Sequence, residues 1–141
     1  MNIWYLHHYA TPYEIPGLHR PFEFGEYFNK NGNQTTVFSA SYLHYVDSNM
    51  IQDDADYLIS RYGDVDAVFI RTCGYKNSGG KRVVNMLQFG IKLPKIAKEY
   101  AKKTKKPDVI IASSPHPFTM LAGLKIAKMF RIPCICEVRD F

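Results

Sequence analysis

The stretch PDVIIASSPHPFTMLAGLKIAKMFRIPCICEVRD, residues 107–140, decides the fold. Val109-Ile110-Ile111-Ala112 is continuously apolar, as expected of a strand buried on both faces. Ser113 to Pro117 reads as a loop, and Pro117 suits a first helical turn, where a missing N–H costs nothing. The helix that follows, Phe118 to Phe130, is apolar on most sides, with polar relief mainly at Thr119, Lys125 and Lys128. It is expected to lie deep against a sheet. Ile132 to Val138 reads as the next strand, and brings Glu137, Arg139 and Asp140 to its carboxyl end. No helix follows to cover that strand, so the chain reads as a fragment of a larger protein.

The amino-terminal part supports the same architecture. Asn2 to Leu6 is a short apolar strand, followed by a Pro-rich loop that closes on Pro16-Gly17. A helix is expected from Arg20-Pro21, with Phe24, Tyr27 and Phe28 at the i, i+3, i+4 spacing of a core-facing stripe. Asn31-Gly32 ends it, and the β-branched and aromatic run Gln34 to Ser39 forms a second strand. Strand, helix and strand in this order make a right-handed parallel unit. In the middle, Tyr57 to Ser60 and Val65 to Thr72 flank Tyr62-Gly63-Asp64, the pattern of a hairpin or a bent strand pair. Tyr75 to Gly80 reads as a flexible loop. A long helix from Lys81 has Val83, Leu87, Ile96, Ala97 and Tyr100 as its apolar positions, with Pro94 expected to kink or break it. The fold class is therefore α/β: a mainly parallel sheet with helices on both faces.

The bulk properties agree. A length of 141 residues fits one domain, and 46% apolar with 22% charged residues is globular rather than disordered. No stretch reaches the roughly 20 apolar residues of a membrane span, and the start lacks the pattern of a signal peptide, which places the expected location in the cytoplasm. Cys73, Cys134 and Cys136 make an odd count, as expected of reduced thiols, and Cys134 and Cys136 read as packing residues on one strand face. Lys102, Lys103, Lys105 and Lys106 form either a solvated helix end that complements the dipole or a contact for an anionic membrane or phosphorylated substrate. The formal charge of +5 comes with no basic-aromatic stripe, so nucleic acid is not an expected partner.

In a parallel sheet every strand-to-helix loop leaves from the carboxyl edge. Three such loops, His7 to Arg20, Ser113 to Pro117 and Glu137 to Phe141, are expected to meet there. They carry His7, His8, His19, Arg20, Ser114, His116, Arg139 and Asp140, a polar set suited to a sugar or phosphate. The two serines cap the helix or contact ligand, and His7 and His8 are structural or functional. His116, held between two prolines, reads as an exposed functional imidazole. Arg139 is either an ion-pair partner of its neighbours or a ligand contact. Tyr75-Lys76 with Lys81-Arg82 suits an anion clamp. No G-x-G-x-x-G, P-loop, G-x-S-x-G or cysteine–histidine metal cluster is present, so no metal or cofactor is expected to be held by this domain.

The segments KPDVIIASSPHP (residues 106–117) and EVRD (137–140), with Arg71-Thr72, Gly74-Tyr75-Lys76 and KRVVNM (81–86), resemble a branch of the family 4 (group 1) glycosyltransferases. That branch includes transferases that add amino sugars in capsule and O-antigen synthesis. The resemblance implies a GT-B architecture of two Rossmann-like domains, of which residues 1–141 are a partial amino-terminal, acceptor-binding one. The carboxyl-terminal domain that binds the nucleotide-sugar is absent, so the fragment alone is expected to be inactive. It further implies a retaining, metal-free transfer to a glycan or lipid-linked saccharide, with peripheral contact at the inner membrane face. Gly17 falls where relatives have a Gly pair, with Pro16 here in place of the first. Arg139-Asp140 falls where many have a catalytic His followed by Asp or Gly; Arg stays protonated, so its expected role is electrostatic or positioning, with Asp140 orienting it or an acceptor hydroxyl. Gly17, His19, Arg20, Tyr75, Lys76, Arg82, Ser114 and His116 are the expected substrate contacts. The competing reading is a stand-alone module that binds an anionic glycan or lipid phosphate.

Overall fold

A computed structural model describes residues 1–139. The chain runs β1 (Asn2–Leu6), α1 (Arg20–Lys30), β2 (Gln34–Ala40), β3 (Tyr42–Leu43), β4 (Ser48–Asn49), β5 (Tyr57–Tyr62), β6 (Val65–Ile70), α2 (Gly79–Lys103), β7 (Val109–Ser113), α3 (Pro117–Phe130) and β8 (Cys134–Glu137). Six strands form one sheet in the order β5-β6-β2-β1-β7-β8, while β3 and β4 make a separate antiparallel ribbon. Within the large sheet β6, β2, β1, β7 and β8 are parallel, and only β5 is antiparallel, paired to β6. This is a Rossmann-like α/β fold.

Alternate residues of each strand feed two cores. Trp4, Leu6, Phe38, Val68, Ile70 and Ile110 point to one face, where Phe89, Leu93 and Ile96 of α2 and Ile126 of α3 cover them. Tyr5, Val37, Ala67 and Phe69 point to the other face, under Phe22 of α1. Burying a Phe or Leu side chain contributes roughly 1.5–3 kcal/mol, so these two layers dominate the fold's stability. The approach of α3 to the sheet is close: a Cβ at Gly123 would lie 2.6 Å from Cβ of Ala112. Only glycine fits there. The hairpin between β5 and β6 turns on Gly63-Asp64, with Gly63 at φ 65°, as a two-residue turn requires.

Several expectations need correction. On α1, Phe24 and Phe28 are half-buried and pack against the second core as expected, but the fully buried positions are Pro21, Phe22 and Gly25, and Tyr27 is 65% exposed. The buried face is centred to one side of that stripe, because Phe22 and the close contact of Gly25 with Val65 set the helix's rotation. On α2, Ile96, Ala97 and Tyr100 are buried as expected, but Val83 and Leu87 face outward, and Asn85, Phe89 and Leu93 take the inner positions. Pro94 does not break this helix. It is buried within one continuous run, whose packing through Phe89, Leu93, Ile96 and Ala97 outweighs one lost ladder bond. The loop before α2 ends at Ser78, which caps the helix by accepting from the Lys81 N–H at 3.2 Å, so Gly79 and Gly80 are helical. On α3, Thr119 faces inward while Leu121 and Leu124 face out. The last strand is shorter than expected, and Cys136 is exposed on β8, which among the described residues pairs with β7 alone. Burial, with Cys136 beside it, raises the Cys134 thiol to about 12.

Candidate functional site

The chain turns to β2 on one side of β1 and to β7 on the other, and α1 and α3 leave these strands on opposite faces. Such a switch point opens a crevice at the carboxyl ends, where α/β sheets bind ligands. Here a cavity of about 350 Å³ is lined by His7, Tyr9, Arg82, Ser114 and Arg139, with Leu18, Tyr45 and Pro115 at its sides. A larger cavity of about 550 Å³ lies at the opposite, amino-terminal edge, between Asn2, Gln34, Asp66 and Tyr100. It gathers neither imidazole nor guanidinium groups, so the chemistry of interest lies at the carboxyl edge.

The last described residues are tied to this crevice by a polar chain. The Arg139 N–H donates to Oγ of Ser114 at 3.0 Å, and Arg139 Nε stands 3.6 Å from Glu137 Oε1. The Glu137 carboxylate also accepts from Ser113 Oγ at 3.0 Å and from the Tyr5 hydroxyl at 3.1 and 3.2 Å. Burial and that carboxylate hold the Tyr5 phenol well above its ordinary range. The two serines thus bind the β8 end rather than capping α3, whose cap residue His116 makes no side-chain capping bond. Arg139 is not a plain surface ion pair either: its side chain is mostly covered and its Nη1 lies 3.3 Å from Nε2 of His7.

That contact decides the chemistry. His7 is 2% exposed, and burial followed by the nearby Arg139 charge lowers it to about 3, so the ring is neutral. The Tyr9 backbone N–H donates to Nδ1 of His7 at 3.2 Å. The Tyr9 N–H and the Arg139 guanidinium can only donate and a neutral ring has one acceptor, so Nε2 accepts from Arg139 in one tautomer and carries the proton in the other. In the second tautomer Nε2–H and the Arg139 guanidinium both donate toward the same space. An anionic oxygen placed there would accept from both.

Behind this pair lie two more imidazoles. His8, 1% exposed, has Nε2 2.5 Å from Oδ1 of Asn85, and Asn85 Nδ2 donates to the Cys73 carbonyl at 2.6 Å, which fixes the amide so that His8 Nε2–H is the donor. Its Nδ1 is left bare and without a protein partner. Burial, then the neighbouring His116, lowers His8 to about 3. The His116 ring packs 4.7 Å from His8, centroid to centroid, and burial followed by the Arg82 charge lowers it to about 4. His116 is buried, not exposed on its elbow as the sequence suggested, and both its ring nitrogens lack a protein partner. The reason is the packing of Phe118 and His8 around the ring, which two flanking prolines do not reveal.

At the rim, Arg82 donates from Nη2 and Nε to the Tyr9 hydroxyl, at 3.1 and 3.3 Å, and lies 5.8 Å from the ring centres of both Tyr9 and Tyr75. The Tyr9 bond holds its guanidinium above the ordinary range. Among the described residues no carboxylate pairs with Arg82. Tyr75 is buried beneath it and accepts or donates to His44 Nδ1 at 2.5 Å, which makes it a support rather than a contact.

The other expected contacts lie elsewhere. Lys76 is exposed and pairs with Asp47 at 3.6 Å, beside the β3–β4 ribbon. His19 Nε2 bonds the Ile15 carbonyl at 2.7 Å, and Arg20 is exposed over the Phe24 ring at 4.8 Å. Gly17 is explained by crowding, since a Cβ would lie 2.5 Å from Thr11 Oγ1 where Leu18 bonds back to Thr11. Asp140 lies outside the described residues. Reading the sequence missed Tyr9, Tyr45 and Asn85. The signal for Asn85 was present, a polar residue four before Phe89 on the inner face of a helix, whereas nothing local marks the two tyrosines. Among the described residues no three His, Cys, Asp or Glu side chains group as metal ligands. No protein-family model and no curated protein matches this chain.

Proposed function

We propose that this chain is the acceptor side of a retaining glycosyltransferase that moves a sugar from a nucleotide-sugar to a glycan or lipid-linked acceptor in cell-surface polysaccharide synthesis. The observation that carries the reading is the cluster at the switch point: the Arg139 guanidinium beside His7 Nε2, with Arg82 at the rim. It asks for an anionic oxygen, as the phosphates of a lipid-linked saccharide supply. Behind it, His8 and His116 are buried, with ring nitrogens that have no protein partner. Being neutral, these imidazoles leave the positive charge of the cavity to Arg82 and Arg139. The sequence resemblance supplies the reaction class, and the donor sugar is expected on a separate domain.

The test is direct binding of a short-chain polyprenyl-diphosphate amino sugar to the purified chain by calorimetry. Saturable binding, weakened about tenfold or more by Arg82→Ala or Arg139→Ala, is the expected result, since charge-assisted bonds contribute roughly 1.5–3 kcal/mol. Failure to bind any diphosphate-linked saccharide would end this reading. The cluster is complete within this one chain, which favours a second reading, a stand-alone module for an anionic glycan or lipid phosphate. Equal affinity for pyrophosphate alone and for the saccharide-bearing diphosphate would select it.

A further inference from the structure

The cavity at the switch point has two unlike sides. One is cationic, where Arg82 and Arg139 stand beside the buried ring of His7. The other carries Tyr9 and Tyr45, and these two tyrosines are not equivalent. Tyr9 is fully engaged: its ring packs 4.4 Å from His8 and 5.3 Å from His44, and its hydroxyl accepts from Arg82. Among the described residues Tyr45 packs on one aromatic ring, that of His44, at 5.0 Å and nearly at right angles, and it is 55% exposed. A large aromatic side chain is therefore left open in the cavity wall. Its backbone is held in place without its help. Tyr45 lies in the turn between β3 and β4, where Asp47 adopts φ 47°. The ribbon is tied to the chain just after β6: the Tyr42 N–H donates to Thr72 Oγ1 at 3.3 Å and Asn49 Nδ2 donates to the Thr72 carbonyl at 3.0 Å. The Tyr42 hydroxyl donates to the Asp47 carboxylate, which also pairs with Lys76.

We propose that Tyr45 is a specificity-determining residue of this cavity, its ring taking the apolar face of a pyranose whose diphosphate is held by Arg82 and Arg139. The inference rests on the glycosyl-diphosphate reading above and adds the side chain that tells one saccharide from another. A pyranose carries its hydroxyls around the edge and C–H bonds on its faces. Those hydrogens, made positive by the neighbouring oxygens, suit the negative face of a phenol ring. The arginines supply charge that any diphosphate satisfies, so they do not discriminate between sugars. The tyrosine does: an axial hydroxyl on the stacked face holds the two rings apart, whereas an equatorial one does not. The choice of a sugar over a nucleobase follows from the size of the site. Tyr45 and Arg82 line the same cavity of about 350 Å³, at the small end for ligand sites. The ring that stacks must therefore sit next to the phosphates. In a glycosyl diphosphate the sugar is joined directly to them, whereas in a nucleotide the ribose stands between base and phosphate.

Titration calorimetry on the full chain tests this with three probes: the short-chain polyprenyl-diphosphate amino sugar, inorganic pyrophosphate and uridine diphosphate. Tyr45→Ala is expected to bind the saccharide probe about fivefold more weakly, the effect of one aromatic contact, with its affinity for pyrophosphate unchanged. Tyr45→Phe keeps the ring and drops the hydroxyl, and is expected to restore the saccharide affinity. Both variants should melt as the wild type does, because the ring is largely open and the ribbon is held by other residues; this separates a lost contact from a lost fold. Wild-type saccharide affinity in Tyr45→Ala, an equal loss for pyrophosphate, a loss confined to uridine diphosphate, or a Tyr45→Phe as weak as Tyr45→Ala would each overturn the inference and leave the anion-binding cluster standing. A wild-type chain that binds none of the three probes would end the inference and the reading beneath it together.

Discussion

Lowering the pH should unfold this protein through its buried imidazoles. His7 and His8 are both lowered to about 3 in the folded state, chiefly by burial, against 6.5 when the chain is unfolded. A group held below its unfolded value as a neutral base is unprotonated in the native state while the unfolded chain takes up a proton. The stability it contributes is complete above pH 6.5 and is lost as pH falls from there toward 3. From pH 7.5 to 5.0 each ring should cost about 2 kcal/mol, so the pair costs about 4 kcal/mol. His116, lowered to about 4, acts in the same direction. Against a typical stability of about 5–15 kcal/mol this is a large share, and for a chain of this length it corresponds to a fall in Tm of about 15 °C. Urea denaturation followed by circular dichroism at half-unit steps of pH measures it. Below pH 6 the slope should approach about 1.4 kcal/mol per pH unit for each buried ring. His8→Gln keeps an amide donor toward Asn85 and should reduce that slope by one proton, whatever it does to the stability at pH 7.5. A midpoint that stays flat between pH 7.5 and 5.0, or a slope unchanged in His8→Gln, would refute the assignment of these rings as neutral and buried.

Three further outcomes follow from packing. Gly123→Ala should destabilise by about 1–3 kcal/mol in denaturant, because the new methyl would sit 2.6 Å from Cβ of Ala112, with Cys134 Sγ and Leu6 Cδ1 at 3.4 and 3.5 Å; an unchanged midpoint would mean that α3 lies farther from the sheet. Phe22→Ala should cost about 3–5 kcal/mol and Tyr27→Ala less than about 0.5, an order that the aromatic spacing of α1 would have reversed. The Thr119 hydroxyl is buried with no protein partner, so Thr119→Val should be neutral or stabilising by up to about 1 kcal/mol. A loss larger than that in thermal melts would show that the hydroxyl has a partner, such as an ordered water.

The parallel sheet, the βαβ opening, the hairpin at Gly63 and the convergence of three loops were all legible in the sequence, because strand runs and glycine stops are local signals. Helix rotation was less so. Both α2 and α3 carry two apolar stripes, one toward the sheet and one toward solvent, and a period of 3.6 cannot rank them. The inner stripe of α2 is marked by Phe89 and Leu93, yet Asn85 shares it, and only the pairing with His8 explains an amide at that depth. The same holds at the site. The loops that carry His7, Ser114 and Arg139 were predictable from strand polarity, whereas the exclusion of Lys76, His19 and Arg20 depends on loop paths that no local pattern encodes. Tyr9 and Tyr45 enter the cavity from loops whose course is set by long-range contacts.

The place of β1 at the centre of the sheet also shapes how the chain must come together in time. One edge of β1 finds β2 across a single helix, but its other edge waits for β7, and the Asn2 N–H bonds a side chain as far away as Asp108, at 2.6 Å. Pairings of such long range slow folding, since closing the loop is costly before the contact rewards it. During synthesis at about 5–20 residues per second, the interval between completing β2 and completing β7 is roughly 4–15 seconds. Throughout that interval the apolar edge Ile3-Trp4-Tyr5-Leu6 is unpaired, the state in which a nascent chain most needs a chaperone.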